Sequence, residues 1–177
     1  MGLDFVAVDF ETANSDLTSA CAMGLAFVRD GCLTESTLYL IRPPSPEFIF
    51  TYLHGLTWDH VRDAPSFCDL WDNLRERLSS EILVAHNAIF DQSVFSECLR
   101  HYGIQYRMNP FLCSMQLSKK AFGFRRVNLD RVCKQLKIAL RHHDAESDAQ
   151  AAANIVIKAA PRLGANSASR LLEFCRT

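Results

Sequence analysis

The sequence predicts an α/β fold in which a mixed sheet is flanked by helices. Three observations predict it. Three strand-like segments come first, joined by a tight turn. A short apolar segment then opens a strand–helix alternation. The rest of the chain carries apolar stripes at helical spacing.

Residues 3 to 10, LDFVAVDF, are β-branched and aromatic on both faces, which suits a buried central strand. Two further strands are expected near 21 to 29 and 33 to 41, turning at Asp30-Gly31. Pro43, Pro44 and Pro46 open a long connection. Helical patterning covers 66 to 78. A fourth strand, Ile82 to Ala85, precedes a helix over 88 to 102, with Asn87 as its expected N-cap. Helical patterns return at 114 to 121, 128 to 137 and 145 to 160, and Pro161 is expected to stop the last one.

The 177 residues suit one domain, and 49% hydrophobic content is enough for a sizeable core. No apolar run is long enough to span a bilayer, which needs roughly 18 residues. The N-terminus, Met1-Gly2-Leu3-Asp4, has no basic segment, so a signal peptide is not expected. The seven cysteines form no C-x-x-C pair and sit mostly in apolar stretches. A disulfide framework or thiolate zinc site is therefore not expected, and a reducing, cytoplasmic setting is.

The net charge of −1 conceals an uneven distribution. Residues 1 to 118 carry seven Lys or Arg against fifteen Asp or Glu, whereas residues 119 to 142 carry eight against one. A basic block on an otherwise acidic chain is a candidate contact for a polyanion, although a solvated helix face has the same composition.

Acids stand in positions that should be apolar. Asp9 and Glu11 lie two apart at the end of the first strand, so both point to one face. Carboxylates at the carboxyl end of a buried strand stand where α/β sheets bind ligands. Asp91 heads the helical stripe Val94, Phe95, Cys98, Leu99 and Tyr102. Asp148 likewise heads Ala151, Ala152, Ile155 and Ala159. An acid near a helix N-terminus is favourable by itself, but that does not account for the apolar face. A buried carboxylate needs a partner, and no single basic residue stands opposite all four.

A pair of divalent cations answers that need. Mg²⁺ and Mn²⁺ prefer oxygen ligands, and two ions about 3.5–4 Å apart suit in-line phosphoryl displacement. A base near neutral pKa completes such a site, and histidine fills that role. Of the six histidines, His142 and His143 precede the Asp148 helix by a short turn. Spacing alone does not choose between them.

These residues resemble a known family. Val8-Asp9-Phe10-Glu11-Thr12 resembles the first motif of the DEDDh (DnaQ-like) 3′→5′ exonucleases, which have a ribonuclease-H-like fold. His86-Asn87-Ala88-Ile89-Phe90-Asp91 resembles the second, and His143 with Asp148-Ala149 the third. The segments His54-Gly55-Leu56-Thr57 and Asp63-Ala64-Pro65-Ser66-Phe67 are similar to stretches in bacterial members. The likeness covers residues 3 to 160 and implies one exonuclease domain over 1 to 177, with 161 to 177 as a short helical tail. It implies a mixed five-stranded sheet. It also implies two divalent ions, Mg²⁺ or Mn²⁺, held by Asp9, Glu11, Asp91 and Asp148, with His143 as general base because the family's histidine stands five before its aspartate. By the same resemblance, the backbone near Phe10 and Thr12 and the side chain of Leu56 would line the terminal nucleotide's pocket, supported by His54 and Asn87. One departure is Thr12-Ala13-Asn14, where many members have Thr-Gly.

The implied substrate is a single-stranded DNA 3′ end, by likeness to bacterial DNA polymerase III epsilon chains, with RNA trimming or short-oligoribonucleotide degradation as the alternative. A polymerase or repair subunit is a possible partner. In the basic block, Phe122 and Phe124 could stack on bases or belong to the core. Four other classes fit poorly. An aspartyl-phosphate phosphatase would have a second Asp where Glu11 stands. Rossmann, P-loop and G-x-S-x-G patterns are absent. A catalytically silent binding module leaves the complete acid set unexplained.

Overall fold

A computed structural model describes residues 2–175. Its sheet has five strands in the order β3-β2-β1-β4-β5. Strand β1 (Phe5–Thr12) is central, and β2 (Ala20–Arg29) and β3 (Cys32–Leu40) run antiparallel beside it. The β2–β3 turn has positive φ at both Asp30 and Gly31, as a tight hairpin with right-handed twist requires. On the other side of β1, β4 (Leu83–Ala85) and β5 (Phe111–Cys113) run parallel to it. The five-stranded sheet implied by the resemblance is observed, but the residue pattern does not place its fifth strand, β5. Three residues are too few to display a period, and pairing with β4 defines them instead.

Alternation along β1 divides the core in two. Val6, Val8 and Phe10 face helix α3 (Phe67–Leu78) and helix α4 (Ala88–His101) in an aromatic-rich cluster with Phe67, Trp71 and Phe95. Truncating Phe95 to Ala there should cost about 3–5 kcal/mol. Ser66 begins α3 with a reciprocal capping box to Asp69. Phe5 and Ala7 face the opposite way, toward α5 (Ser114–Phe122), α7 (Ala145–Arg162) and α8 (Ala168–Cys175). A third cluster seats α6 (Leu129–Leu136) on α7 through Leu129, Val132, Ala151 and Ile155. The long connection after β3 holds two single-turn helices, α1 (Thr51–His54) and α2 (Trp58–Val61).

Two local expectations need correction. Pro161 does not stop α7, which runs on to Arg162. In the last turn a proline forfeits only one helical hydrogen bond. The end is closed instead by Leu163 and Ala165, whose amides donate to Ala159 and Ala160, with Gly164 at positive φ between them. Asn87 stands at the N-cap position of α4, but its side chain makes no capping bond and its backbone is left-handed, with φ 68°. Its geometry serves the bend from β4 into α4 instead. Phe122 and Phe124 stack on each other at 5.2 Å and pack against the second and third clusters, so both belong to the core.

Candidate active site

Asp9 and Glu11 leave β1 on the face that Phe5 and Ala7 occupy further down, and there they meet the first turn of α7. Carboxylate oxygens of Asp9, Glu11 and Asp148 lie within 4.8 Å of one another. Asp148 is buried, at 3% exposure. Asp91, also buried, arrives from the other face at the head of α4, and its Oδ1 accepts the Phe10 amide at 3.0 Å. That bond ties the second motif to the first strand and leaves one Asp91 oxygen for other work. Asp91 is outside the three-acid cluster but lines the same cleft, of about 830 Å³.

Crowding this much negative charge has a cost. Burial, then Asp91, Asp148 and Glu11, push the Asp9 carboxyl well above its usual range. Burial, then Asp148 and Asp144, push Glu11 up to about 7. Asp91 is raised as well, chiefly by burial. The Asp148 carboxyl is also raised by burial, although His142 and the His143 amide draw it back. Its Oδ2 takes His142 Nδ1 at 3.0 Å and the His143 amide at 3.1 Å, whereas its buried Oδ1 has no hydrogen-bond partner among the described residues. An orphaned buried carboxylate oxygen beside two more acids is a donor set that fits a hard divalent cation. His142, His143 and Asp148 form a second grouping that offers ring nitrogens from the cleft wall.

His143 adopts φ 66°, in the left-handed region that few residues other than glycine occupy. Its ring stacks on His142 at 4.0 Å. Burial, then His142, hold its pKa below the usual histidine value, so the imidazole is neutral near pH 7.

The other expected residues are distributed unevenly. Phe10 is a buried core residue that also borders the cleft. Thr12 and Asn87 line the cleft. His54 does too. Its Nδ1 accepts the Leu56 amide and its Nε2 donates to the Thr12 carbonyl, clamping the long connection to the end of β1. Leu56 itself is not brought to the cleft. It packs against the small cluster of Ala13, Cys21 and Val61, and Phe50, Leu53 and Phe90 supply the apolar lining instead. Leu56 stands two residues past the end of α1, while Leu53 is on the exposed side of that helix, a distinction the sequence pattern does not carry. His86 closes the back wall, with its ring between Ser114 Oγ at 2.8 Å and the Val127 carbonyl at 2.6 Å. A further residue went unsuspected. Gly24 of β2 pairs across from Asp9, and a Cβ there would stand 2.0 Å from the Ala145 carbonyl oxygen. A lone glycine inside a strand pattern is the signal that could have found it.

Known proteins resemble this chain in sequence and fold. The ribonuclease T family model, described as an exonuclease, matches residues 6–156. A PolC-type DNA polymerase III from Oceanobacillus iheyensis is 32% identical over 124 residues, 69% of this chain and 9% of that protein. The DNA polymerase III epsilon subunit of Buchnera aphidicola is 26% identical over 155 residues, 80% of this chain and 65% of that subunit. The chain therefore spans less than two thirds of either relative's length. Among solved structures, exonuclease X in complex with 5′-overhanging duplex DNA superposes with a TM-score of 0.76 at 22% identity, covering 96% of this chain and 98% of that one. The ribonuclease-H-like fold expected from the motifs is the fold observed. With the family model matching residues 6–156, most of its length, this chain belongs to the exonuclease family.

Proposed function

We propose that the chain is a 3′→5′ exonuclease that uses two divalent ions, Mg²⁺ or Mn²⁺, to hydrolyse single-stranded DNA from its 3′ end and release nucleoside monophosphates. One observation carries the reading: carboxylate oxygens of Asp9, Glu11 and Asp148 lie within 4.8 Å of one another, a buried oxygen of Asp148 has no hydrogen-bond partner among the described residues, and the His143 ring stands beside Asp148. Asp9, Glu11, Asp148 and the free oxygen of Asp91 would hold the ions. Bound there, divalent cations lower the pKa of water and offset charge on the phosphoryl oxygens.

The chain's own groups supply the rest. His143 accepts a proton from the attacking water through its neutral ring. His142 holds Asp148 in place through Oδ2. The His54 clamp fixes the strand end carrying Glu11 and Thr12. Phe50, Leu53 and Phe90 offer apolar faces to the terminal nucleotide. DNA is favoured over RNA because both relatives are named as DNA polymerase components. Those names also favour a polymerase as a partner.

The test is a 5′-labelled oligodeoxynucleotide incubated with Mg²⁺ or Mn²⁺, beside an RNA of the same sequence. A ladder shortening from the 3′ end, faster on DNA and abolished by excess chelator and by Asp9→Ala, is expected. Cleavage that survives chelator would rule out the metal mechanism, and equal or faster RNA cleavage would rule out the DNA preference.

A further inference from the structure

The catalytic cleft does not end at Arg125 and Arg126. These two side chains, with Asp130, also border a second depression of about 610 Å³, whose far wall is Arg131 and Lys134 of α6. The depression is therefore a continuation of the cleft across α6. The platform beneath it is firm. Leu129, Val132 and Cys133 bury the inner side of α6 against Ala151 and Ile155 of α7, the same helix that carries Asp148. Arg131 and Lys134 are three apart and so share the outward side.

Arg29, Arg42, Arg62, Arg77, Arg100, Arg141 and Arg170 each hold a carboxylate. Among the described residues, Arg125, Arg126, Arg131 and Lys134 hold none. Among the same residues, Arg75, Arg107, Lys137, Lys158 and Arg162 also lack ion pairs, but in this groove four such cations gather in one depression. Four cations thus face one acid, Asp130, in a channel that opens from an acidic centre. Like charges gathered without partners repel one another, and a chain of phosphates would relieve that repulsion.

We propose that this groove binds the phosphates of the strand on the 5′ side of the scissile bond, so that the preferred substrate is a single strand of several nucleotides rather than a dinucleotide. The proposal rests on the exonuclease reading above. When the terminal nucleotide sits over the acids, the rest of the strand has to leave the cleft, and this groove continues it past Arg125 and Arg126.

The test compares wild type, Arg131→Ala/Lys134→Ala and Arg131→Lys/Lys134→Arg. Binding of fluorescein-labelled dT12 is read by anisotropy in chelator across a salt series. Hydrolysis of dT12 and dT2 is read with Mn²⁺. Four phosphate contacts give a log–log salt slope of about −2.8, and two give about −1.4. Between 50 and 200 mM salt, wild-type affinity should fall about fifty-fold and that of the alanine variant about sevenfold. The alanine variant should show a raised KM on dT12, with kcat on dT12 and all dT2 kinetics unchanged. The charge-preserving variant should keep the wild-type slope. Equal slopes in wild type and alanine variant, equal wild-type KM for dT2 and dT12, or a parallel loss on dT2 would each overturn the groove. If wild type hydrolyses neither oligonucleotide, the exonuclease reading fails, and the salt slopes measured in chelator still decide the groove.

Discussion

His142 Nδ1 donates to Asp148 Oδ2 at 3.0 Å, and the same oxygen accepts the backbone amide of His143. Adjacent histidines therefore meet one carboxylate by different means, one through its ring and the other through its backbone. The His143 ring is left stacked and neutral above the acids. The pair that spacing could not separate has two distinct placements here.

The first prediction separates their roles. His143→Ala should lower kcat by about 10²–10⁴-fold and remove the acidic limb of the pH–rate profile, with little change in metal affinity. His142→Ala should loosen Asp148 and weaken metal activation by about 10–100-fold, with activity restored at high Mn²⁺. Metal titrations of initial rate check both. Rescue of His143→Ala by added metal, or no metal dependence in His142→Ala, would reverse the assignment.

The second concerns stability against pH without metal. Glu11 has its carboxyl pushed from 4.5 to about 7. Across that window the folded state binds more protons than the unfolded state, so the Glu11 contribution falls as pH rises from about 4.5 to about 7. His54, His86 and His143 are held below their usual value and act in the opposite sense. The quantity to measure is therefore the Tm difference between Glu11→Gln and wild type in chelator. It should grow in favour of the variant between pH 5 and 7.5 and vanish when Mg²⁺ saturates the wild type. A difference that stays flat across this range would show that Glu11 ionises without penalty.

The acids were legible because a carboxylate at the head of an apolar stripe contradicts the pattern around it. Asp91 and Asp148 are both buried, as that contradiction required. Element positions were legible for the same reason, since the inward faces of β1, α4 and α7 repeat at strand and helix periods. Features set by tertiary contact were not. β5 exists because β4 offers it an edge, and Leu53 reaches the cleft because α1 turns its exposed side that way. The His142–Asp148 bond stands beside a left-handed backbone at His143, which the sequence around it does not announce.

The third prediction follows from crowding. Asp9→Asn replaces a buried carboxyl that burial, Asp91, Asp148 and Glu11 all push up with a neutral amide. In chelator it should stabilise the protein by on the order of 1 kcal/mol, about 2–4 °C in Tm for a chain of this length. Mg²⁺ or Mn²⁺ should then give a smaller thermal shift than in wild type, and hydrolysis should be lost. Thermal melts with and without metal decide it. A lower Tm in chelator would mean that Asp9 is stabilised by contacts other than its acidic neighbours.

The last prediction tests how the fold sets the spacing of the acids. Gly24 pairs with Asp9 across the β1–β2 ladder, so a side chain at Gly24 would project to the same face as Asp9. That face receives the first turn of α7, and a Cβ at Gly24 would stand 2.0 Å from the Ala145 carbonyl oxygen and 2.5 Å from the Glu146 nitrogen. Both neighbours are backbone and have no rotamer to yield. Gly24→Ala must therefore lift the start of α7 from the sheet, and Asp148 in that turn moves away from Asp9 and Glu11. Overpacking of this kind costs about 1–3 kcal/mol. A displacement near 1 Å in a catalytic group costs about 10²-fold in rate. The variant should remain folded by circular dichroism, melt earlier, need more Mn²⁺ for half-maximal activity and turn over about 10²-fold more slowly. Near-normal turnover with normal metal dependence would mean that the Asp9–Asp148 spacing is fixed elsewhere, and the Asp91–Phe10 bond on the opposite side of β1 would then be the next constraint to break.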